Sequence, residues 1–416
     1  MTASTTHMNA KKRIIVLAIV VIAVAAVGAG CWSLWSFYHQ NLRGIGPAIL
    51  PPKQDIAQLI DTREVPLTLP KGFSIGIFAK DLGTPRVLVA DPNGVLIASD
   101  PSRGQVLALP DKNGDGKADE TIVLADKLNR PHGLAFRCLN NACRLYVAEE
   151  NAVSYYDYDA TTLKLSNRIK IADLPSGGEH VTRSLLYLPP PDDRILVAIG
   201  SDCNVCHESN PQRASILSIP ADGGALTEYA TGLRNTVFMT IDPATNQVWG
   251  ADMGRDFLGD NTPPDEINIL EQGKNYGWPI CYGDNVHDTA FDKNTYIRNP
   301  CMTPFETSSH INIPAHSAPL GLAFATGTGW APDYAGNLFV SYHGSWNRIT
   351  PTGYKVVRYV LNADGSMQSV EDFITGWLQS DGTALGRPTG LLLKPDGQLF
   401  VADDKAGVIY RIYRTK

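Results

Sequence analysis

His180 in GGEHVTRSL, Arg234 and Asn235 in GLRNT, and the acidic loop ADMGRDFLGDNTPPDEIN leading to GKNYGWP are the residues of this chain best suited to reaction chemistry. An imidazole titrates near neutral pH, so it can take or give a proton under working conditions. A guanidinium is a fixed cation that stabilises an oxyanion forming beside it. Taken singly, such a His or Arg is more often a hydrogen-bonded structural residue, so the case depends on their being brought together. A second motif, DKNGDGKADE, spaces Asp111, Asn113, Asp115 and Asp119 with Gly116 at the sharp turn. That spacing gathers oxygen ligands around one calcium ion. The bidentate glutamate that would complete the loop is replaced by Ile122, so the expectation is a structural site of modest affinity, set against a turn that solvates itself. CNVCH from Cys203 to His207 has the form of a c-type haem attachment. Covalent haem normally needs a compact helical pocket, and a disulfide pinching the loop is the preferred reading.

Such residues need a scaffold, and composition narrows the choice. The chain has 416 residues, with 36 Lys and Arg against 42 Asp and Glu, a net charge of -6. Mild acidity excludes a nucleic-acid surface, because phosphate neutralisation needs clustered positive charge. With 19% charged and 44% hydrophobic residues, the chain is not disordered and can build a substantial core. The 37 Gly and 28 Pro are dispersed, which favours many short strands over long helices.

The N-terminus decides the compartment. Lys11-Lys12-Arg13 precedes a run in which no residue from Ile14 to Tyr38 is charged. That run exceeds the roughly 20 residues a spanning helix needs, and Trp32, Trp35 and Tyr38 suit the far interface. The basic flank stays cytoplasmic and sends the rest of the chain outward, to the periplasmic side of the inner membrane. Cleavage as a signal peptide, or lipidation at Cys31, are the competing readings. All three put the bulk of the chain in an oxidising compartment. Three close cysteine pairs are then three short disulfides: Cys138–Cys143, Cys203–Cys206 and Cys281–Cys301.

The domain reading is a cytoplasmic basic segment (1–13), a transmembrane signal-anchor (14–38), a Pro-containing tether (39–71) and one folded domain (72–416). Within the last, a pattern of apolar strand, polar turn and apolar strand recurs six times. The second strands centre near Ala98, Val147, Ala198, Gly250, Val340 and Val401, at gaps of 49, 51, 52, 90 and 61. Antiparallel hairpins repeating about every 50 residues predict an all-β, six-bladed β-propeller. The long gap holds an insertion, including Cys281 and Cys301, read as a loop over one face. Function in a propeller belongs at the axis, where loops of several blades converge.

With GLRN, the Gly-containing acidic loop ending in DEIN, and NYGWP in that order, residues 72–416 resemble the soluble quinoprotein sugar dehydrogenases. These are calcium-dependent six-bladed propellers using pyrroloquinoline quinone (PQQ). The HGSWNR and GRPTG segments are more similar to the sorbosone dehydrogenase-like branch. The resemblance makes His180 the general base, taking the C1 hydroxyl proton of a sugar while hydride passes to the quinone. Arg234 is then the arginine beside the quinone carbonyl, and Asn235 an adjacent cofactor contact. Gly254 and Arg255 stand where backbone carbonyls hold the cofactor's calcium, which would polarise the quinone as a Lewis acid. Glu266 and Tyr276 resemble ligands of a second, structural calcium. The carboxylate expected to orient the base falls at Ser201, with Asp202 one place on as the alternative. His343 and Arg348 replace a cofactor-binding lysine segment, Arg387 matches a carboxylate-binding arginine, and Arg86 and His132 take equivalent inward positions of the first two blades.

The resulting expectation is a membrane-anchored, periplasm-facing dehydrogenase for a sugar or related aldehyde or alcohol. Its electron acceptor would be a quinone or cytochrome of the membrane or periplasm. A calcium-dependent lactonase on a similar propeller and a non-catalytic binding propeller are the alternatives.

Overall fold

Each of the six hairpins supplies the first two strands of its own blade, an antiparallel sheet of four strands to which the third blade adds a fifth. The computed structural model describes residues 10–59, 65–140, 142–326, 329–330 and 332–415. The expected second strands are Leu96–Asp100, Ala142–Glu149, Arg194–Ile199, Val248–Asp252, Leu338–Tyr342 and Leu399–Asp403. A blade is covered on both faces by its neighbours, so these central strands are buried along nearly their whole length. That is why LIASD, VWGAD and LFVSY start as apolar runs without period-two alternation and carry polar residues only near their ends. Ring closure uses the start of the domain. Strand Phe73–Ala79 pairs antiparallel with Val408–Arg414, Phe73 opposite Arg414 and Ile77 opposite Tyr410, and becomes the outer strand of blade six. Closing the ring leaves only short, protected edges.

One device repeats between blades and positions the axial loops. The acid ending the second strand accepts backbone N–H groups from the segment that enters the blade. Asp100 holds Gly83 and Thr84, Glu149 holds Asn129, Asp252 holds Arg234 and Asn235, and Asp403 holds Arg387. Two of the expected functional arginines are thereby fixed by their own backbone.

The insertion lies in blade four, between Asp265–Leu270 and Ile311–Ile313. It carries a short hairpin, Cys281–Tyr282 with Val286–His287, and one stretch of it, Lys274–Asn275, adds in parallel to the edge of blade three. All three expected disulfides are formed, and Cys31 is the free cysteine. The Cys203 and Cys206 sulfurs are bonded to each other, as the disulfide reading expected.

A helix, Ala10–Phe37, is followed by a π-helical turn, Tyr38–Leu42. None of the apolar window Leu17–Leu42 is buried, and its length and composition would cross a membrane. The segment after it departs from the expected tether. Gly44 donates to the Arg348 carbonyl, Lys405 Nζ reaches the carbonyls of Pro47 and Leu50, and Ile56 and Ala57 are buried in the core beside Trp377. Apolar side chains scattered among the prolines give this segment a surface to bury, so it packs on the propeller as a strap.

The DKNGDGKADE loop joins the outer strands of blade one. Its oxygens are largely taken by the loop itself: Asp111 Oδ2 accepts from Gly116 N, Asn113 Oδ1 from Asp115 N, Asp115 Oδ1 from Lys117 N, and Asp119 from Lys112 N and Asn113 Nδ2. Asp111 Oδ1 is buried without a donor.

Candidate active site

The loops entering and crossing blades three to six meet around a cavity of about 260 Å³ at one end of the axis. His180, Arg234, Asn235, Gly254, His343 and Arg387 all line it, so six of the expected residues are brought together. Arg86 and His132 line an adjoining cavity of about 240 Å³. Asp404 connects the two, accepting from Arg86 Nη1 at 2.6 Å and facing His343 Nε2 at 2.9 Å. A larger cavity of about 480 Å³ lies among the innermost strands, but its walls are mainly apolar and Tyr187 is their one titratable residue.

His180 has a defined tautomer. Its Nδ1 lies 2.8 Å from the Ser201 carbonyl and 3.0 Å from Ser201 Oγ. A carbonyl only accepts, so Nδ1 carries the proton and Nε2 is left as a bare acceptor. Burial, and then the charge of Arg234, lower the imidazole to about 3, so it is neutral near pH 7. The approach is close: a Cβ on Gly200 would stand 2.6 Å from both His180 Cβ and Asn235 Oδ1.

Asp202 does not hold the base. Its side chain is 53% exposed and lies 3.8 Å from Arg213, while the neighbouring Ser201 takes the orienting position. The chain bends at Asp202 as it enters the Cys203–Cys206 loop, which leaves buried Ser201 against His180 and turns Asp202 to solvent. Asp202→Asn is therefore expected to leave turnover within about twofold of wild type, as for surface substitutions away from any special feature. A tenfold loss in steady-state kinetics would restore Asp202 to the site.

Arg234 is tied down at every nitrogen. Nε donates to the Asn204 carbonyl, Nη1 to the Gly254 carbonyl, and Nη2 to Asn204 Oδ1 and Asp256 Oδ2, at 2.9 to 3.0 Å. Asn204 belongs to the Cys203–Cys206 loop, so that disulfide serves to present Asn204 to the arginine. Asp256 is held in turn by Asn347 Nδ2 at 2.6 Å. Opposite, Arg387 donates to the carbonyls of His343 and Gly344 and lies over the Tyr354 ring. Burial, then Arg387, lower His343 to about 4. Burial alone would raise the Asp404 carboxyl, but His343, Arg86 and Arg387 outweigh it and hold it below the usual carboxylate range. His132 is buried, its Nε2 has no partner, and burial followed by the Arg86 charge keeps it well below the ordinary imidazole value.

Arg348 is not in the site. Its guanidinium clips loops together through the Ala315 carbonyl and Asn261 Oδ1, and its neighbour Asn347 lines the cavity instead. The Arg255 side chain turns away to Asp288 at 2.7 Å. Behind the cavity, Glu266, Tyr276 and Asp252 line a void of about 20 Å³. Glu266 accepts from Gly283 N and Asn268 Nδ2, and burial raises it; burial and then Glu266 push Asp252 up to about 7. The Tyr276 hydroxyl itself donates to the Ile269 carbonyl.

Asn204, Asp256, His316, Asn347 and Asp404 were not singled out from the sequence. Asn204 and Asn347 sit inside motifs read for other residues, CNVC and HGSWNR, and Asp256 inside the acidic loop. VADDK offered only a doubled acid, of which Asp403 braces a loop and Asp404 faces the site.

The fold and this site define a six-bladed propeller built around one cation-lined axial cavity. The family model described as TrAA12-like matches residues 67–415, and the chain belongs to that family. A protein of Borreliella burgdorferi described only as uncharacterized is 30% identical over 365 residues, covering 84% of this chain and 91% of that one. A pyrroloquinoline quinone-dependent pyranose dehydrogenase of Coprinopsis cinerea is 24% identical over 84% of this chain, which spans about half of that enzyme (54%). The holo form of that enzyme's PQQ domain superposes with a TM-score of 0.71 at 23% identity, over 84% of this chain and 97% of that one. The calcium structure of the Trichoderma reesei family AA12 protein gives 0.70 at 22% identity, over 87% and 100%.

Proposed function

We propose that this chain is a PQQ- and calcium-dependent dehydrogenase that oxidises a sugar or related aldehyde or alcohol. The observation that carries the reading is His180 Nε2, bare and neutral, on the wall of a cavity whose cations are Arg234 and Arg387. The donor set suits a tricarboxylate quinone: Arg387 and Arg86 flank the joined cavities, and the buried unpaired atoms His132 Nε2 and Asn347 Oδ1 await partners. When bound, PQQ supplies the two-electron acceptor, with calcium polarising it. Gly254 and Arg255 would hold that ion through their carbonyls, the Gly254 oxygen sharing it with Arg234 Nη1, which donates to it at 2.9 Å. Glu266 and Asp252, two buried acids without a guanidinium or ammonium on their carboxylates, suit a second ion beside Tyr276. Asp111 Oδ1 leaves one free ligand for a third in the blade-one loop.

The chain's own residues then divide the work. His180 accepts the substrate's hydroxyl proton at Nε2, and the Ser201 carbonyl orients the ring and favours its charged form. Arg234, fixed by Asn204 and Asp256, offers positive charge without reorganising. A sorbosone-type sugar aldehyde is the narrower substrate expectation, and a membrane or periplasmic quinone or cytochrome is the acceptor. A central lactonase ion would need several free carboxylates on the axis, whereas Asp256 and Asp404 are paired with Arg234 and Arg86. Among the described residues Asp265 alone lines the cavity without a cation, accepting from Gly254 N and Ala318 N.

Acid affects such a site late. With His180 at about 3, only about 1% of the imidazole is protonated at pH 5. Turnover should show no loss from these imidazoles between pH 8 and pH 5, and should fall as pH drops through about 4 and then 3, where His343 and His180 charge. Because buried Asp252 and Asp265 are pushed up to about 7 and could give an acid limb of their own, the check is the imidazole titration itself. A His180 NMR titration centred near 6.5 would contradict the assigned environment.

The deciding experiment is reconstitution of the purified protein with PQQ and calcium, scored by cofactor uptake and by dye reduction across sugars, sorbosone and simple aldehydes. Uptake with sugar-dependent dye reduction supports the reading. A wild-type protein that takes up no PQQ ends it.

A further inference from the structure

We infer that the rim of the candidate active site is a lipid-docking face: the N-terminal helix holds it against the bilayer, so that the cavity opens onto the membrane surface. The first observation is the absence of slack in the connection. Helix Ala10–Phe37 runs into the turn Tyr38–Leu42, and Gly44 N–H then bonds the Arg348 carbonyl at 2.7 Å. Arg348 directly follows Trp346 and Asn347 of the cavity wall. At about 1.5 Å per helical residue, the end of the apolar helix and that wall are separated by only about 10 Å of chain.

The second observation is contact. The Phe37 ring lies 5.4 Å from Phe257, and Phe257 lies edge-on 5.4 Å from Trp346, which lines the cavity. An aromatic row thus joins the helix end to the mouth of the site.

The third is the surface around it. Ile49 is 65% exposed, Leu50 45%, Ile349 41%, Phe257 39% and Trp346 37%. They share one rim: Ile349 N donates to Asp260 of the Phe257 loop, and the Leu50 carbonyl accepts from Lys405, next to Asp404. Exposed apolar and aromatic side chains gathered where a spanning segment emerges are the pattern of an interfacial belt. The occupant is therefore the lipid surface into which the helix inserts. On the functional reading above, an acceptor dissolved in the bilayer would reach the cavity without crossing bulk water.

The test uses the full chain in phosphatidylcholine nanodiscs, with Cys31→Ser as background and one dye-labelled cysteine at a time. Ile49→Cys and Ile349→Cys probe the rim, and Ala244→Cys probes the exposed hairpin turn at the opposite end of blade four. Headgroup-attached nitroxide lipid is expected to quench the two rim dyes several-fold and leave the residue-244 dye unchanged. Unquenched rim dyes, or equal quenching at all three positions, would overturn the proposal. So would full-length protein that fails to float with vesicles. No cofactor is needed for these readouts, so their failure is separable from failure of the proposed activity.

Discussion

Replacing His180 with alanine is expected to cut turnover by about 10²–10⁴, the usual worth of a positioned general base. The same change should leave PQQ and calcium uptake nearly intact, because among the described residues the imidazole's only protein partner is Ser201 and no charge is removed. The fold should also survive, since the loss frees the Ser201 carbonyl while its hydroxyl still donates to the Cys203 carbonyl. Single-turnover reduction of the bound cofactor by sugar would isolate this step, and equilibrium uptake would give the binding term. A His180→Ala protein that reduces dye as fast as wild type would remove the imidazole from the mechanism.

Arg234→Ala should fail in a different manner. Turnover is expected to fall by roughly 10²–10³ for the lost fixed positive charge beside the oxyanion, and cofactor uptake should weaken with it. Stability should drop as well, because Asp256, part-buried at 18% exposure, is left with the Asn347 amide and no cation. Asn204→Ala removes only the side-chain amide that steadies the guanidinium, so it should lower turnover less while sparing most of the affinity. If the arginine substitution leaves cofactor uptake unchanged, Arg234 acts only as a strut for the Asn204 and Asp256 loops.

Much of the architecture follows from local pattern. A strand covered on both faces must be apolar throughout, and a hairpin must turn on Asp, Asn, Gly or Pro, so six blades appear as six repeats before any coordinate is known. The disulfides are equally local, since five, three and twenty residues separate the paired cysteines. The convergence of His180, Arg234, Asn235, Gly254, His343 and Arg387 was reachable because the order of several motifs carries more information than any one residue.

Other decisions belong to the ring. Arg86 meets Asp404 across 318 residues and Asn204 meets Asp256 across 52, pairings that exist only after the first strand has closed the propeller and the loops have turned inward. Two expected roles moved by a single position, from Asp202 to Ser201 and from Arg348 to Asn347, because both pairs lie in irregular loops whose bends set side-chain direction, which type and spacing do not record. The segment read as a tether became a strap for the same reason. Prolines and scattered apolar residues look like a linker until a surface exists for Ile56 and Ala57 to be buried against. Sequence by itself determined the number of blades, the disulfides and the apolar helix, since each depends on near neighbours. Only the tertiary structure decided which charges meet at the axis and how the helix end lies beside the cavity, since those depend on where distant loops come to rest.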